Sequence, residues 1–111
     1  MNSLSKKSCI PCKGGVDPMP LDERSVLLKS LHKDWELQSE SNRLFRSYKF
    51  SDYKRAWDLA NQISVLAEEQ FHHPEISFGW GHLEVTLWTH KIGSLVESDF
   101  ILAAKIDLLT V

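Results

Sequence analysis

Three of this chain's five histidines stand where a side chain could move a proton: His72 and His73, adjacent near a helix end, and His90, at a strand end. Glu68 precedes His72 by four residues. On a helix such residues are neighbours, so the Glu68 carboxylate can hold the His72 imidazole and favour its protonated form. The helix C-terminus adds partial negative charge at the same place. A histidine so placed titrates near neutral pH and suits general acid catalysis. On spacing alone the plainer alternative weighs more: His72 and His73 shield the last carbonyls of the helix, and His90 is a surface residue. Asp99 is an acid in a helix's first turn, which the dipole already explains.

A metal centre is the other sharp possibility, because the histidines with Glu68, Glu75 or Asp99 could furnish zinc or iron ligands. Adjacent histidines project in different directions, however, and neither His-Glu-x-x-His nor His-x-His occurs, so no metal is expected. Cys9 and Cys12 make half of a structural zinc site at most and read as a reduced pair without a disulfide. No Gly-rich phosphate loop, no Gly-x-Ser-x-Gly elbow and no nucleophilic cysteine in a folded segment is present. Proton transfer by histidines is the surviving enzymatic option.

The elements that must position these residues follow from periodicity. Residues 1–20 hold three of the four prolines and Gly14-Gly15 without a period, and read as a mobile arm preceding one domain over 21–111. A short helix is predicted over 21–31, with Leu21, Leu27, Leu28 and Leu31 on one stripe. Trp35–Gln38 and Leu44–Phe50 read as a hairpin around a polar turn. Ala56, Leu59, Ala60, Ile63, Leu66 and Ala67 mark an amphipathic helix capped by Ser51 and stopped near Phe71 or His72 by Pro74. Two further strands follow, the second alternating Leu83, Val85 and Leu87 with His82, Glu84, Thr86, Trp88 and His90. A last helix over 97–109 would start from a Ser94/Glu97 capping box. The order αββαββα implies an α+β domain, a four-stranded antiparallel sheet with helices on one face.

Composition sets limits consistent with that picture. At 111 residues there is room for one domain. Thirteen Lys and Arg against fifteen Asp and Glu argue against nucleic-acid binding, and 42% hydrophobic with 25% charged residues is a globular composition. No apolar run approaches the roughly 20 residues of a membrane span, nor is there a secretory signal, so a cytoplasmic location is expected.

Glu68-x-x-x-His72-His73-Pro74-Glu75, then Trp80, Thr89-His90 and Asp99-Phe100-x-Leu102-Ala103 together resemble the pterin-4a-carbinolamine dehydratases. The segment from Glu68 to Asp107 matches that signature in order and spacing, and Cys9 to Gly15 resembles the arm of many bacterial relatives. The resemblance implies dehydration of 4a-hydroxytetrahydropterin, left by an aromatic amino acid hydroxylase, to quinonoid dihydropterin and water. It implies His72, His73 and His90 as active-site histidines, Glu68 supporting His72, and Phe71, Trp88, Thr89 and Lys91 at positions that contact the pterin. Asp99 and Trp80 would be supporting residues. No cofactor is implied, the pterin being the substrate. The chemistry fits the residues independently: the leaving hydroxyl needs a proton and the neighbouring ring nitrogen must lose one, each transfer contributing about 10²–10⁴ in rate.

After His90 the chain departs from the family pattern. Where many relatives read Asp-x-Gly-Gly-Leu-Thr, it has Lys91-Ile92-Gly93-Ser94-Leu95-Val96. Val96 cannot cap the last helix as Thr would, which points to Ser94 as an earlier cap. Lys91 also puts positive charge beside His90, which lowers the expected pKa of that imidazole. The resemblance further implies a homo-oligomer, a dimer or tetramer, and its animal members supply a rival reading, a non-catalytic module that serves as a dimerisation cofactor.

Overall fold

The structure, a computed structural model, describes residues 3–9 and 17–110. After a 3-10 turn at Ser3–Lys6 come α1 (Leu21–Leu28), β1 (Glu36–Gln38), β2 (Arg43–Lys49), α2 (Tyr53–Gln70), β3 (Glu75–Gly79), β4 (His82–Leu87) and α3 (Glu97–Leu108). The strands form one antiparallel sheet in the order β1-β2-β4-β3. The expected α+β architecture is therefore the observed one.

Register decides what each face carries. Leu44, Arg46 and Tyr48 of β2 lie opposite Leu87, Val85 and Leu83 of β4, which in turn oppose Ile76 and Phe78 of β3. Directly opposed residues share a face, so these side chains form one layer, packed with Leu59, Ile63, Phe100, Leu102 and Ile106 of the helices. The outer face is left to residues such as Phe45, Ser47, Glu84 and Thr86.

Several boundaries moved for local reasons. α1 ends at Leu28 because Lys29, Ser30 and Leu31 turn back by i→i−3 bonds, leaving Leu21 exposed while Leu31 is buried. The cap of α2 is Asp52 rather than Ser51, its carboxylate accepting the Arg55 N–H at 2.9 Å. Its other end is a Schellman turn in which His72 N–H reaches the Ala67 carbonyl and Phe71 takes the left-handed conformation.

Residues 3–9 do not behave as the mobile arm expected of 1–20. Leu4 is buried in the core and Cys9 beside it, Lys105 donates to the Ser5 carbonyl at 2.9 Å, and the Cys9 N–H donates to Gln70 at 3.0 Å. A few apolar side chains sufficed to dock a segment that has no period of its own. Burial pushes the Cys9 thiol up to about 11, Lys105 opposing and Asp99 assisting. Cys12, its expected partner, lies outside the described residues.

Two buried arginines hold the rest together. Arg46 pairs with Asp107 at 2.6 Å, and the same carboxylate accepts Trp35 Nε1 at 2.7 Å and the His32 N–H at 2.9 Å. Arg24 donates to the carbonyls of Met19 and Ser41, to Asn42 and to the Ser94 hydroxyl. Among the described residues no helix is long and apolar enough to cross a membrane.

Candidate active site

The end of α2 and the exit of β4 meet at one cavity of about 280 Å³, lined by Phe71, His72, His73, Trp88, Thr89, His90 and Lys91, and the start of α3 backs it through Asp99. Each reaches it for a local reason. The left-handed turn at Phe71 ends α2 and releases His72 inward, while Pro74 keeps His73 from resuming the helix. β4's alternation persists past its last ladder residue, so Thr89 points into the core and Trp88 and His90 lie on the outer side.

Asp99 stands at the centre of the buried half. It is fully enclosed, its Oδ1 lies 2.6 Å from His72 Nε2, and its Oδ2 accepts the Thr89 hydroxyl at 2.8 Å and the Val96 N–H at 2.9 Å. A first-turn acid explained by the helix dipole is thus too modest an account: this carboxylate joins all three elements of the site. It also performs the capping that Val96 cannot. Val96 occupies the N-cap position without a side-chain acceptor, and Asp99 satisfies its backbone N–H. The expected Ser94/Glu97 capping box does not form, because the Ser94 hydroxyl is turned to Asn42 at 2.9 Å and receives Arg24.

Glu68 does not support His72. Its Oε1 lies 2.6 Å from His73 Nε2, on the exposed rim, while His72 is turned away to Asp99. The i,i+4 argument fails because the helix has already ended at Gln70, and the left-handed turn rotates His72 off the face that Glu68 occupies. Trp80, expected as a supporting residue, sits 71% exposed in the β3–β4 turn, at the other end of β4 from the cavity, and does not line it.

Trp88 and His90 stack with ring centroids 4.5 Å apart, and the Arg43 guanidinium lies 4.3 Å from the Trp88 ring centroid. Arg43 was not singled out from the sequence, where a lone arginine in a strand carries no signal. Asn42, in the β1–β2 turn, and Arg24, on α1, were missed because their partners come from other elements. The turn after His90 closes through Ile92 and Gly93 N–H bonds to the Thr89 carbonyl, with Gly93 at a φ of 63°. The glycine retained from the family pattern is thus the one whose backbone needs it.

Among the described residues no group of three or more His, Cys, Asp or Glu is arranged to hold a metal ion. What converges instead is a set of imidazoles, two of them each paired with a carboxylate, around a space open to solvent.

The fold and this cavity define a class: a small α+β domain whose histidine-lined pocket is assembled from a helix end and a strand exit. Residues 17–109 match the family described as pterin 4 alpha carbinolamine dehydratase, and the chain belongs to that family. Relatives provisionally named pterin-4-alpha-carbinolamine dehydratase include one from Rickettsia bellii, 51% identical over 96% of this chain and 94% of its own length. Another, from Rubrobacter xylanophilus, is 49% identical over 98% and 100%. The crystal structure of a transcriptional coactivator/pterin dehydratase from Brucella melitensis superposes with a TM-score of 0.77 at 28% identity, covering 84% of this chain and 98% of that one. A pterin dehydratase-like protein identified as a RuBisCO assembly factor in the alpha-carboxysome gives 0.60 at 28%, covering 70% and 90%.

Proposed function

We propose that the chain dehydrates 4a-hydroxytetrahydropterin to quinonoid dihydropterin and water. The observation that carries this is the convergence of His72, His73 and His90 on one cavity sized for a bicyclic heterocycle. Expelling the 4a-hydroxyl requires one proton delivered to the departing oxygen and one withdrawn from the adjacent ring nitrogen, with no change of oxidation state. His72 and His73 each have Nε2 on a carboxylate, which leaves Nδ1 as the exchanging nitrogen. His90 brings a third imidazole to the same cavity. Backbone groups of His90 and the ring of Phe71 suit the polar edge and a flat face of a pterin.

In this reading no cofactor is needed, the substrate comes from an aromatic amino acid hydroxylase, and the protein works in the cytoplasm as a dimer or tetramer. Tyr53, Trp57 and Val65 are large exposed apolar side chains on α2 and offer a surface for such assembly. The test is a spectrophotometric assay of carbinolamine breakdown: wild type accelerates it, His72→Ala and His90→Ala lose most of that effect, and an inactive wild type overturns the proposal.

The second reading, a protein-interaction module on the same fold, is favoured by the two structural neighbours, one a transcriptional coactivator/pterin dehydratase and the other a RuBisCO assembly factor. Substituting His72 and His90 separates them, since partner binding survives there and dehydration does not.

A further inference from the structure

We infer that Arg43 is a positioning residue for His90, acting through the indole of Trp88. The inference rests on the reading of the pocket given above. His72 and His73 are oriented by carboxylates, whereas His90 is exposed and, among the described residues, its ring contact is the stack on Trp88 at 4.5 Å and 21°. An imidazole on an exposed turn would otherwise exchange among its staggered rotamers. What fixes His90 is therefore whatever fixes Trp88.

The sheet register supplies that support. Leu44 opposes Leu87, so continuing the antiparallel pair by one residue brings Arg43 beside Trp88 on the outer face. The guanidinium lies 4.3 Å from the indole centroid. The same group donates to the Gly93 carbonyl at 3.0 Å and the Asn42 carbonyl at 2.8 Å. Arg43 thus grips both the ring on which His90 rests and the turn that carries His90. A planar cation able to stack and donate along its edge is needed for both contacts, which lysine cannot supply together.

The experiment follows the His90 ring protons by NMR, assigned with His90→Gln, together with kcat and KM for carbinolamine breakdown in the wild type, Arg43→Ala and Arg43→Lys. Stacking on the indole shields the His90 ring, so its wild-type resonances lie upfield of those of an unstacked histidine. In Arg43→Ala they return toward ordinary values, kcat falls about fivefold, as loss of one cation–π contact would give, and KM stays within about twofold. Arg43→Lys recovers part of both effects. Where Arg43→Ala does not fold by thermal melting, Arg43→Gln, which loses the cation over the indole, is read in its place, and the same two losses are expected. Unmoved His90 resonances in Arg43→Ala, or displaced resonances with unchanged kcat, overturn the inference. An inactive wild type sinks the reading of the pocket, while the resonance comparison still decides whether Arg43 holds His90.

Discussion

Replacing Phe71 by glycine is expected to make the protein more stable and less able to hold its substrate. Phe71 has φ 53° and ψ 37°, the left-handed conformation that closes the Schellman turn of α2. A residue with a β-carbon there costs about 1–2 kcal/mol, and glycine gives back part of the relief through its freer unfolded chain, about 0.5–1 kcal/mol. The ring is 73% exposed, so little burial is lost with it. The net gain, about 0.5–1 kcal/mol, raises Tm by roughly 4 °C for a domain of this size. Phe71→Asn, tolerant of the same backbone region, gives a smaller gain of the same sign. The ring lines the cavity, and if it lies on a bound pterin its loss raises KM about fivefold, the worth of one aromatic contact of about 1 kcal/mol. Differential scanning calorimetry and steady-state kinetics on the same preparations decide the matter. A lower Tm in Phe71→Gly would show that packing, not function, keeps the ring; a higher Tm with unchanged KM would remove Phe71 from the binding site.

Asp99→Asn keeps the shape but replaces the charged acceptor of three hydrogen bonds, and is expected to cut kcat at least tenfold, with a loss of about 1–3 kcal/mol in urea denaturation. Glu68→Gln should change activity far less, because its partner His73 lies on an exposed rim where ion pairs contribute little; a loss equal to that of Asp99→Asn would reverse the assignment of supporting carboxylates. Asp107→Ala strands the buried Arg46 and is expected to cost about 3–5 kcal/mol in urea denaturation. Alkaline stability should fall from near pH 9 toward pH 11: the Cys9 thiol is raised from 9.0 to about 11 by burial, so the unfolded chain loses that proton first and the folded state loses its advantage as pH rises. The decline should be shallower in Cys9→Ala, measured by denaturation midpoints across that range, with Tyr48, raised to about 12 by burial against the opposing Arg46 charge, contributing to the remainder.

The departures after His90 are accommodated by contacts with other elements. Ser94, in place of a glycine, is buried and bonded to Asn42 and Arg24, so its extra atoms join a network that spans α1, the β1–β2 turn and the turn after His90. Val96, in place of a capping residue, leaves one bond of the capping box unmade, and Asp99 makes the other.

Much of this was set by local sequence. The period-2 alternation of β4 and the three- and four-residue spacing of α2 reflect which side chains leave water, and they determined the elements, their order and the layer they bury. The His-His-Pro signature was legible for a similar reason: proline dictates the conformation of the residue before it, and the signature's types and order are fixed along the chain. Tertiary structure alone decided the pairings. Glu68 is four residues from His72 yet bonds His73, and Asp99, twenty-seven residues away, takes His72 instead. Arg43 reaches Trp88 only through the register of β2 on β4. Leu4 and Cys9 join the core although nothing periodic surrounds them. Spacing fixes neighbours within one regular element, whereas contacts across elements depend on where each chain segment turns, and a single left-handed residue at Phe71 was enough to exchange one histidine for the other.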